Sequence, residues 1–242
     1  MSLIYKYPPL ISGKLVKRYK RFLADIELET GEMITAHCPN TGPMTGNCTP
    51  GSLVQVSRSD NPKRKLAYTW EMIQVGSAWV GTNTAMPNRV IKLLLEQKLL
   101  PELASHYSNV RAEVPYGKDK KSRVDFLLTG NETQLPIYVE VKSVTLSEKK
   151  VALFPDTVTT RGQKHLRELT ALVGEAKTVM LYFINRSDCK IFAPSDRCDP
   201  KYGELLREAV AQGVEILPCR FEISPQGISY LGLADFLLNE PI

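Results

Sequence analysis

The chain has 242 residues, of which 43% are hydrophobic and 24% charged, and its formal net charge at pH 7 is +5. This length fits one or two domains with real cores, and no apolar stretch approaches the roughly 18–20 residues that span a bilayer. The opening residues are not typical of a signal peptide, because prolines 8 and 9 interrupt a short apolar stretch. We therefore expect a cytoplasmic protein without a membrane partner.

The first third of the chain predicts short strands and no clear helix. The turn residues between them are Thr30-Gly31, the segment 39–51 and Asp60-Asn61-Pro62. Five strands of this kind suit a small OB-like β-barrel. The predicted strands are 21–28, 33–38, 52–57, 66–75 and 78–83.

The loop from His37 to Gly46 has a rigid composition and is interpreted as a turn that fixes a barrel corner. We expect the domain boundary near residues 83–88, which divides the chain into an OB-like domain (1–85) and an α/β domain (86–242).

Most of the positive charge lies in the first domain. Residues 1–85 hold 10 Lys and Arg against 6 Asp and Glu, whereas residues 86–242 hold 21 against 20. Clustered basic residues bind phosphates, and aromatic residues beside them can stack on bases, so this pattern favours DNA as the partner. The alternative is an ordinary soluble domain with solvated charges and core aromatics. The candidate DNA-binding residues are Lys14, Lys17, Arg18, Lys20, Arg21, Lys63, Arg64 and Lys65.

The five cysteines do not indicate a disulfide framework, because they are odd in number and contain no C-x-x-C pair. A metal site of Cys38, Cys48 and His37 is the alternative, but reduced and packed thiols are favoured.

Asn88 is expected to cap a helix with an apolar face, and 110–114 to form a strand. Two apolar runs then follow, 124–128 and 137–142, separated by a polar stretch containing Gly, Asn and Pro. This pattern predicts a β-hairpin.

In such a hairpin Glu140 and Lys142 point to one face, and Asp125 can lie beside Glu140. Two adjacent carboxylates favour a divalent cation such as Mg²⁺ or Mn²⁺ between them, and a nearby lysine can position a water molecule. This is the outline of a metal-assisted phosphodiesterase site. A solvated strand face that carries ordinary charges is the alternative.

A helix is expected after this hairpin, with Thr159 or Thr160 as its N-cap. Its apolar face is formed by Leu166, Leu169, Leu172 and Val173, and its first turn carries Arg161, Gln163, Lys164 and His165. Basic side chains at a helix N-terminus favour phosphate binding, and a normally capped surface helix is the alternative. A buried strand (178–184), a helix from Asp199-Pro200 to Gly213 and a strand (214–217) complete an α/β order.

Five stretches resemble the sugar fermentation stimulation protein A (SfsA) family, in the order and spacing of that family. They are His37-Cys38-Pro39-Asn40-Thr41-Gly42, Val124-Asp125-Phe126-Leu127-Leu128, Val139-Glu140-Val141-Lys142-Ser143-Val144-Thr145-Leu146, Phe154-Pro155-Asp156 and Arg161-Gly162-Gln163-Lys164-His165-Leu166. The resemblance implies an OB-like N-terminal domain and a C-terminal domain similar to restriction endonucleases of the PD-(D/E)xK type. It also implies DNA binding without strong sequence preference and a regulatory link to sugar, notably maltose, metabolism.

By that resemblance Asp125, Glu140 and Lys142 are the nuclease-type core residues, and Gln163 and His165 are accessory residues on the following helix. Val124 stands where the nuclease motif has proline, as in many members of that superfamily. The first hypothesis is a metal-dependent nuclease, in which Asp125, Glu140 and the Val141 carbonyl hold Mg²⁺ while Lys142 orients the attacking water. The second is a non-catalytic DNA-binding regulator that keeps the same acidic site.

Overall fold

The computed structural model describes residues 3–117, 122–130 and 134–239. The strands in this part of the chain are β1 (Leu3–Lys6), β2 (Leu10–Tyr19), β3 (Leu23–Leu28), β4 (Met33–His37), β5 (Leu53–Arg58), β6 (Tyr68–Val75), β7 (Ala78–Gly81), β8 (Asn109–Tyr116), β9 (Ser122–Thr129), β10 (Ile137–Val144), β11 (Ser147–Glu148), β12 (Val151–Phe154), β13 (Lys177–Ile184), β14 (Ile191–Pro194), β15 (Glu215–Ser224), β16 (Gly227–Leu233) and β17 (Asp235–Phe236). The helices are α1 (Met86–Glu96), α2 (Pro101–Ala104), α3 (Thr160–Thr170) and α4 (Pro200–Gln212).

Strands β2 to β6 form a closed five-stranded barrel, which confirms the expected OB-like domain. The strands pair in the order β4-β3-β2-β5-β6, and β4 pairs with β6 to close the barrel. The interior is apolar and includes the fully buried Trp70, whose indole N–H donates to the Met72 carbonyl at 2.9 Å. The sequence patterns predicted four of these strands, but they missed β2.

Strand β2 was missed because its basic residues were interpreted as a surface cluster. Lys14 is exposed between Gly13 and Leu15, which are both buried, so the strand alternates between the two faces of the barrel wall. A bulge between Leu15 and Lys17 interrupts this alternation.

The second sheet has seven strands in the order β1-β16-β15-β13-β10-β9-β8, and its central strands β10, β13 and β15 are parallel. One face packs against α1 and α2, and the other packs against α3 and α4. Strand β1 belongs to this sheet, so the first residues of the predicted domain 1–85 lie outside the barrel.

Side chains alternate along the central strands, so these strands contribute residues to the cores on both faces of the second sheet. Val139 and Val141 of β10 enter the core beside α1, as predicted, whereas Val144 lies in the core beside α3 and α4. Strand β13 alternates in the same way and is buried almost throughout, as expected of a strand covered on both faces. Glu140 and Lys142 therefore face α3.

The observed helix ends confirm two predictions and correct two others. Thr159 caps α3 by accepting from the Gly162 N–H, and Asp199 caps α4, which ends at the left-handed Gly213. The predicted cap of α1 was wrong, because the helix begins at Met86 and Asn88 lies in its first turn. Helix α3 ends at Thr170, so Leu172 and Val173 lie beyond it.

The barrel and the second sheet are joined by hydrogen bonds at β7. The Gly81 N–H donates to the Asn185 carbonyl at 3.0 Å, and the Asn185 amide donates back to the Gly81 carbonyl at 3.2 Å. A Cβ on Gly81 would lie 2.1 Å from the Asn185 Oδ1, so a side chain at this position would displace the Asn185 amide and disrupt its hydrogen bond to the Gly81 carbonyl. The Asn47 amide, from the barrel, donates to the Thr145 carbonyl at 3.2 Å.

Candidate active site

The predicted hairpin is present and brings the two acids together. Strands β9 and β10 are antiparallel, with Val139 opposite Phe126. Continuing this register by one residue sets Glu140 opposite Asp125, where cross-strand side chains lie within contact distance. Three residues of the polar connection between the strands, 131–133, lie outside the described residues.

Both carboxylate oxygens of Asp125 accept hydrogen bonds. The Asn88 amide of α1 donates to Oδ1 at 2.7 Å, and the Val141 backbone N–H donates to Oδ2 at 2.7 Å. Burial raises the pKa of Asp125 above its usual range, and the negative charge of Glu140 adds to this effect. The carboxylate is therefore held in one orientation but is electrostatically strained by its acidic neighbour.

The Glu140 carboxylate is almost completely buried and has two unequal oxygens. Its Oε1 accepts from the Lys142 Nζ at 2.6 Å and contacts the His165 Nδ1. Its Oε2 has no partner among the described residues. Burial acts to raise the pKa of Glu140, but the hydrogen bond from His165 and the charge of Lys142 outweigh it and hold the pKa below its usual range.

Helix α3 contributes two basic side chains to the same place. The Lys142 Nζ lies 3.0 Å from the His165 Nδ1, and the Arg161 Nε lies 3.4 Å from the His165 Nε2. These groups line a solvent-open cavity of about 420 Å³, together with Asp125 and Glu140. A bound phosphodiester would meet both carboxylates and basic groups there.

Gln163 does not reach this cavity. Its amide donates to both carboxylate oxygens of Asp199, at 3.0 and 3.1 Å, and Asp199 also accepts from the Thr159 N–H at 2.9 Å. Burial acts to raise the pKa of Asp199, but these hydrogen bonds outweigh it and lower the pKa. Gln163 thus ties α3 to the start of α4 and supports the helix that carries His165.

The residues present fit a hard divalent cation. Mg²⁺ is usually held by one or two carboxylates together with water and substrate phosphates, and the unpartnered Glu140 Oε2 is an oxygen that a cation would satisfy. In the described part of the chain, no three His, Cys, Asp or Glu side chains form a complete metal-binding group. The predicted set, Asp125, Glu140 and the Val141 carbonyl, contains only two such side chains.

The candidate DNA-binding residues separate into two kinds. Arg18 donates to the backbone carbonyls of Asn40 and Gly42, and the Arg21 Nε donates to the Thr41 carbonyl at 2.8 Å. These two arginines therefore brace the loop that follows β4. The remaining candidates are exposed, although Lys17 pairs with Asp25 and the Arg64 guanidinium donates to Thr69; they are Lys14, Lys17, Lys20, Lys63, Arg64 and Lys65.

The sequence patterns missed three polar residues of the cavity wall. Asn88 was interpreted as a helix cap, Arg161 was noted only as a charge in the first turn of α3, and Thr84 was not considered. Thr84 follows the barrel and its hydroxyl donates to the Pro39 carbonyl at 3.2 Å. It therefore lines the cavity while touching the barrel loop.

Among the described residues, no helix is long and apolar enough to cross a membrane.

Comparison with known proteins places both domains in one family. Residues 16–82 match the SfsA N-terminal OB domain, and residues 85–227 match the sugar fermentation stimulation protein RE domain. A sugar fermentation stimulation protein homolog of Rippkaea orientalis is 69% identical over 236 residues, which cover 98% of each chain. A homolog of Synechocystis is 62% identical over 238 residues, covering 98% of this chain and all of that one.

A solved structure, that of Pyrococcus furiosus SfsA in complex with Ca²⁺, has the same fold throughout. It superimposes with a TM-score of 0.87 at 26% sequence identity and covers 98% of this chain and 100% of that chain. The chain therefore belongs to the sugar fermentation stimulation protein family.

Proposed function

We propose that this protein binds DNA largely without regard to sequence and holds a divalent cation at Asp125 and Glu140, in a nuclease-like site. The convergence of two carboxylates, Lys142 and His165 in one open cavity carries this proposal. The Ca²⁺ of the Pyrococcus furiosus relative supports it, because Ca²⁺ and Mg²⁺ both prefer oxygen ligands. A regulatory role in sugar metabolism is included on the strength of the family resemblance alone.

A second candidate function is cleavage of DNA by the same site, as a Mg²⁺- or Mn²⁺-dependent endonuclease. The observation that favours it is the position of Lys142 beside Glu140, with Arg161 and His165 on the facing helix. A bound cation would supply Lewis-acid activation of a phosphodiester. Lys142 would orient the attacking water, and Arg161 would neutralise charge on a phosphate oxygen.

The proposed DNA surface is on the barrel. Lys63, Arg64 and Lys65 are exposed in the connection between β5 and β6 and are free of ion pairs among the described residues. Binding through phosphates releases counterions, so the affinity falls with salt at a log–log slope of about 0.9 for each contact on duplex DNA. Replacing all three residues with alanine should flatten this slope by up to about 2–3.

The control replaces three lysines of the α/β domain, Lys177, Lys190 and Lys201, with alanine; two of them are in ion pairs, Lys177 with Glu215 and Lys201 with Glu204. Both triple variants lose three positive charges, so an effect of net charge alone would be equal in the two. A slope that changes equally in both variants, or in neither, contradicts the assignment of DNA binding to this segment. Absence of binding to any DNA overturns the proposed function.

Cleavage is tested with supercoiled plasmid and single-stranded DNA in Mg²⁺ or Mn²⁺. Wild-type protein should nick or degrade at least one of these substrates if the second candidate function is correct. Lys142→Ala should lose this activity and keep DNA affinity, because binding is assigned to the barrel. Metal binding without cleavage of any DNA form leaves the non-catalytic function as the one supported.

A further inference from the structure

A second, smaller cavity lies beside the candidate active site. It has a volume of about 110 Å³ and is bordered by both domains: Asn40 and Gly42 come from the barrel loop, and Asp156 follows β12. Thr84 lines both this cavity and the larger one that holds Asp125 and Glu140. The two cavities are therefore neighbours, and a group attached to a phosphodiester in the larger cavity would lie next to the smaller one.

The walls of this small cavity combine apolar faces with a few polar groups. Leu146, Leu153 and Phe154 provide the apolar surface, and Asn40, Thr145 and Asp156 provide hydrogen-bonding groups. This combination is typical of a pocket that buries one flat, polar-edged ring. A phosphate is disfavoured, because Asp156 would repel it and, among the residues that the structure describes, no lysine or arginine lines the cavity.

Asp156 is the polar group of this cavity that can still accept hydrogen bonds from a ligand. Within the described residues no other side chain bonds to its carboxylate, whereas the Asn40 Oδ1 is already an acceptor for the Gly42 N–H at 2.8 Å. Burial raises the pKa of Asp156. The donor to this carboxylate within the described residues is the Asp156 backbone N–H, so at pH 8 the carboxylate can accept further hydrogen bonds from a ligand.

We propose that this cavity, which we call the base pocket, receives an unstacked nucleobase next to the phosphodiester in the larger cavity, and that Asp156 selects bases with an exocyclic amino group. The proposal rests on the proposed function. It adds that the site binds DNA in which one base is unstacked from the duplex. Cytosine, adenine and guanine each carry an exocyclic amino donor that a carboxylate can accept from, whereas thymine has none and carries a carbonyl oxygen at the position of the cytosine amino group. A base must leave the duplex stack to enter such a pocket, which is easiest where it is already unpaired.

The test measures affinity by fluorescence anisotropy at pH 8 with a chelator present, so that cleavage does not enter. The probes are a fully paired short duplex and the same duplex with one central unpaired cytosine, adenine or thymine. Wild-type protein should bind the cytosine and adenine probes roughly tenfold tighter than the thymine probe, the difference expected for one hydrogen bond to a charged acceptor. The thymine and fully paired probes should bind with similar affinity.

Two variants isolate the pocket. Asp156→Asn keeps the shape but offers an amide that can also donate to thymine, so the difference between cytosine and thymine should disappear. Gly42→Ala keeps the charge but places a Cβ 3.0 Å from the Asn40 Oδ1 and 3.4 Å from the Asp156 Oδ2, and it should weaken binding of the unpaired cytosine and adenine probes while leaving the thymine and fully paired probes unchanged. Asp235→Asn, an exposed carboxylate on β17, is the control and should keep the wild-type preference.

The fully paired probe separates failure of the base pocket from failure of the proposed function. If every probe binds equally well, or if Asp156→Asn keeps the preference for cytosine, the base pocket is overturned while DNA binding stands. If no probe binds, both are overturned. Affinity for the paired probe also shows that each variant is folded, because that contact is made by the barrel.

Discussion

Glu140→Gln is the sharpest test of the cation site, because the substitution removes one charge and almost no volume. In wild-type protein, a cation that binds only the folded state at 100 times its Kd adds about 2.7 kcal/mol of stability. For a chain of this length each kcal/mol raises the Tm by about 2–4 °C. Mg²⁺, Mn²⁺ or Ca²⁺ should therefore raise the wild-type Tm by roughly 5–10 °C.

The variant should fold but lose this response. Without metal, Lys142 and His165 would face a neutral amide, which costs about 1–3 kcal/mol, while the repulsion between Asp125 and Glu140 is relieved. This is a fraction of the roughly 5–15 kcal/mol of a typical domain, so the native state persists. Scanning calorimetry across a metal titration measures both effects in one experiment.

Glu71→Gln is the matched control for Glu140→Gln. Glu71 is also a buried carboxylate, with hydrogen bonds from Ser57 at 2.6 Å and Asn83 at 2.8 Å, but it lies in the barrel outside the cavity. It should lose stability and keep the full metal-dependent rise in Tm. Equal rises in wild-type protein and Glu140→Gln would refute the assignment of the cation to this pair of carboxylates.

Two further predictions concern residues whose positions the structure revises. Asn88→Ala leaves the Asp125 Oδ1 without its donor and should lower metal affinity, measured by calorimetric titration, about 10–100-fold; Asn109→Ala, at an exposed position on β8, should leave it unchanged. Gln163→Ala should instead lower stability by about 1–3 kcal/mol in urea unfolding at pH 7 and leave metal affinity intact, because Gln163 bonds to Asp199 rather than to the cavity. Since the folded pKa of Asp199 is lowered, its contribution is present above the unfolded value near pH 4 and is lost as the pH falls through the folded pKa, so the wild-type advantage should shrink in acid. Loss of metal binding in Gln163→Ala at unchanged stability would contradict this.

The parts of the site that the sequence predicted are those set by local geometry. Strand alternation and one antiparallel pairing are enough to bring Asp125, Glu140 and Lys142 together, and both follow from short stretches of sequence. Asn88 could not be assigned in this way, because its contact with Asp125 joins residues 37 positions apart. Nothing in the spacing of α1 indicates which strand its first turn will meet.

Gln163 and Arg18 show the same limit of prediction from sequence, because both were predicted to be site residues and both instead bond to groups within the fold. Each is a polar residue in a promising motif, and each was expected to act on a ligand. The structure instead gives Gln163 a carboxylate 36 positions away and gives Arg18 two carbonyls, 22 and 24 positions away. Polar groups satisfied within the fold and polar groups left for a ligand have the same sequence signature, so only tertiary contacts separate them.

Hydrogen bonds between the two domains fix the position of the proposed DNA surface relative to the cavity. Gly81 and Asn185 exchange two hydrogen bonds, the Asn47 amide donates to the Thr145 carbonyl, and Val80 pairs with Arg186 in an isolated antiparallel β-bridge. Interfaces that must move are usually held by fewer and more exposed contacts than these. DNA that binds the barrel would thus meet Asp125 and Glu140 at a set position along its backbone. Placement of the backbone, rather than recognition of sequence, would then select the phosphodiester that enters the site.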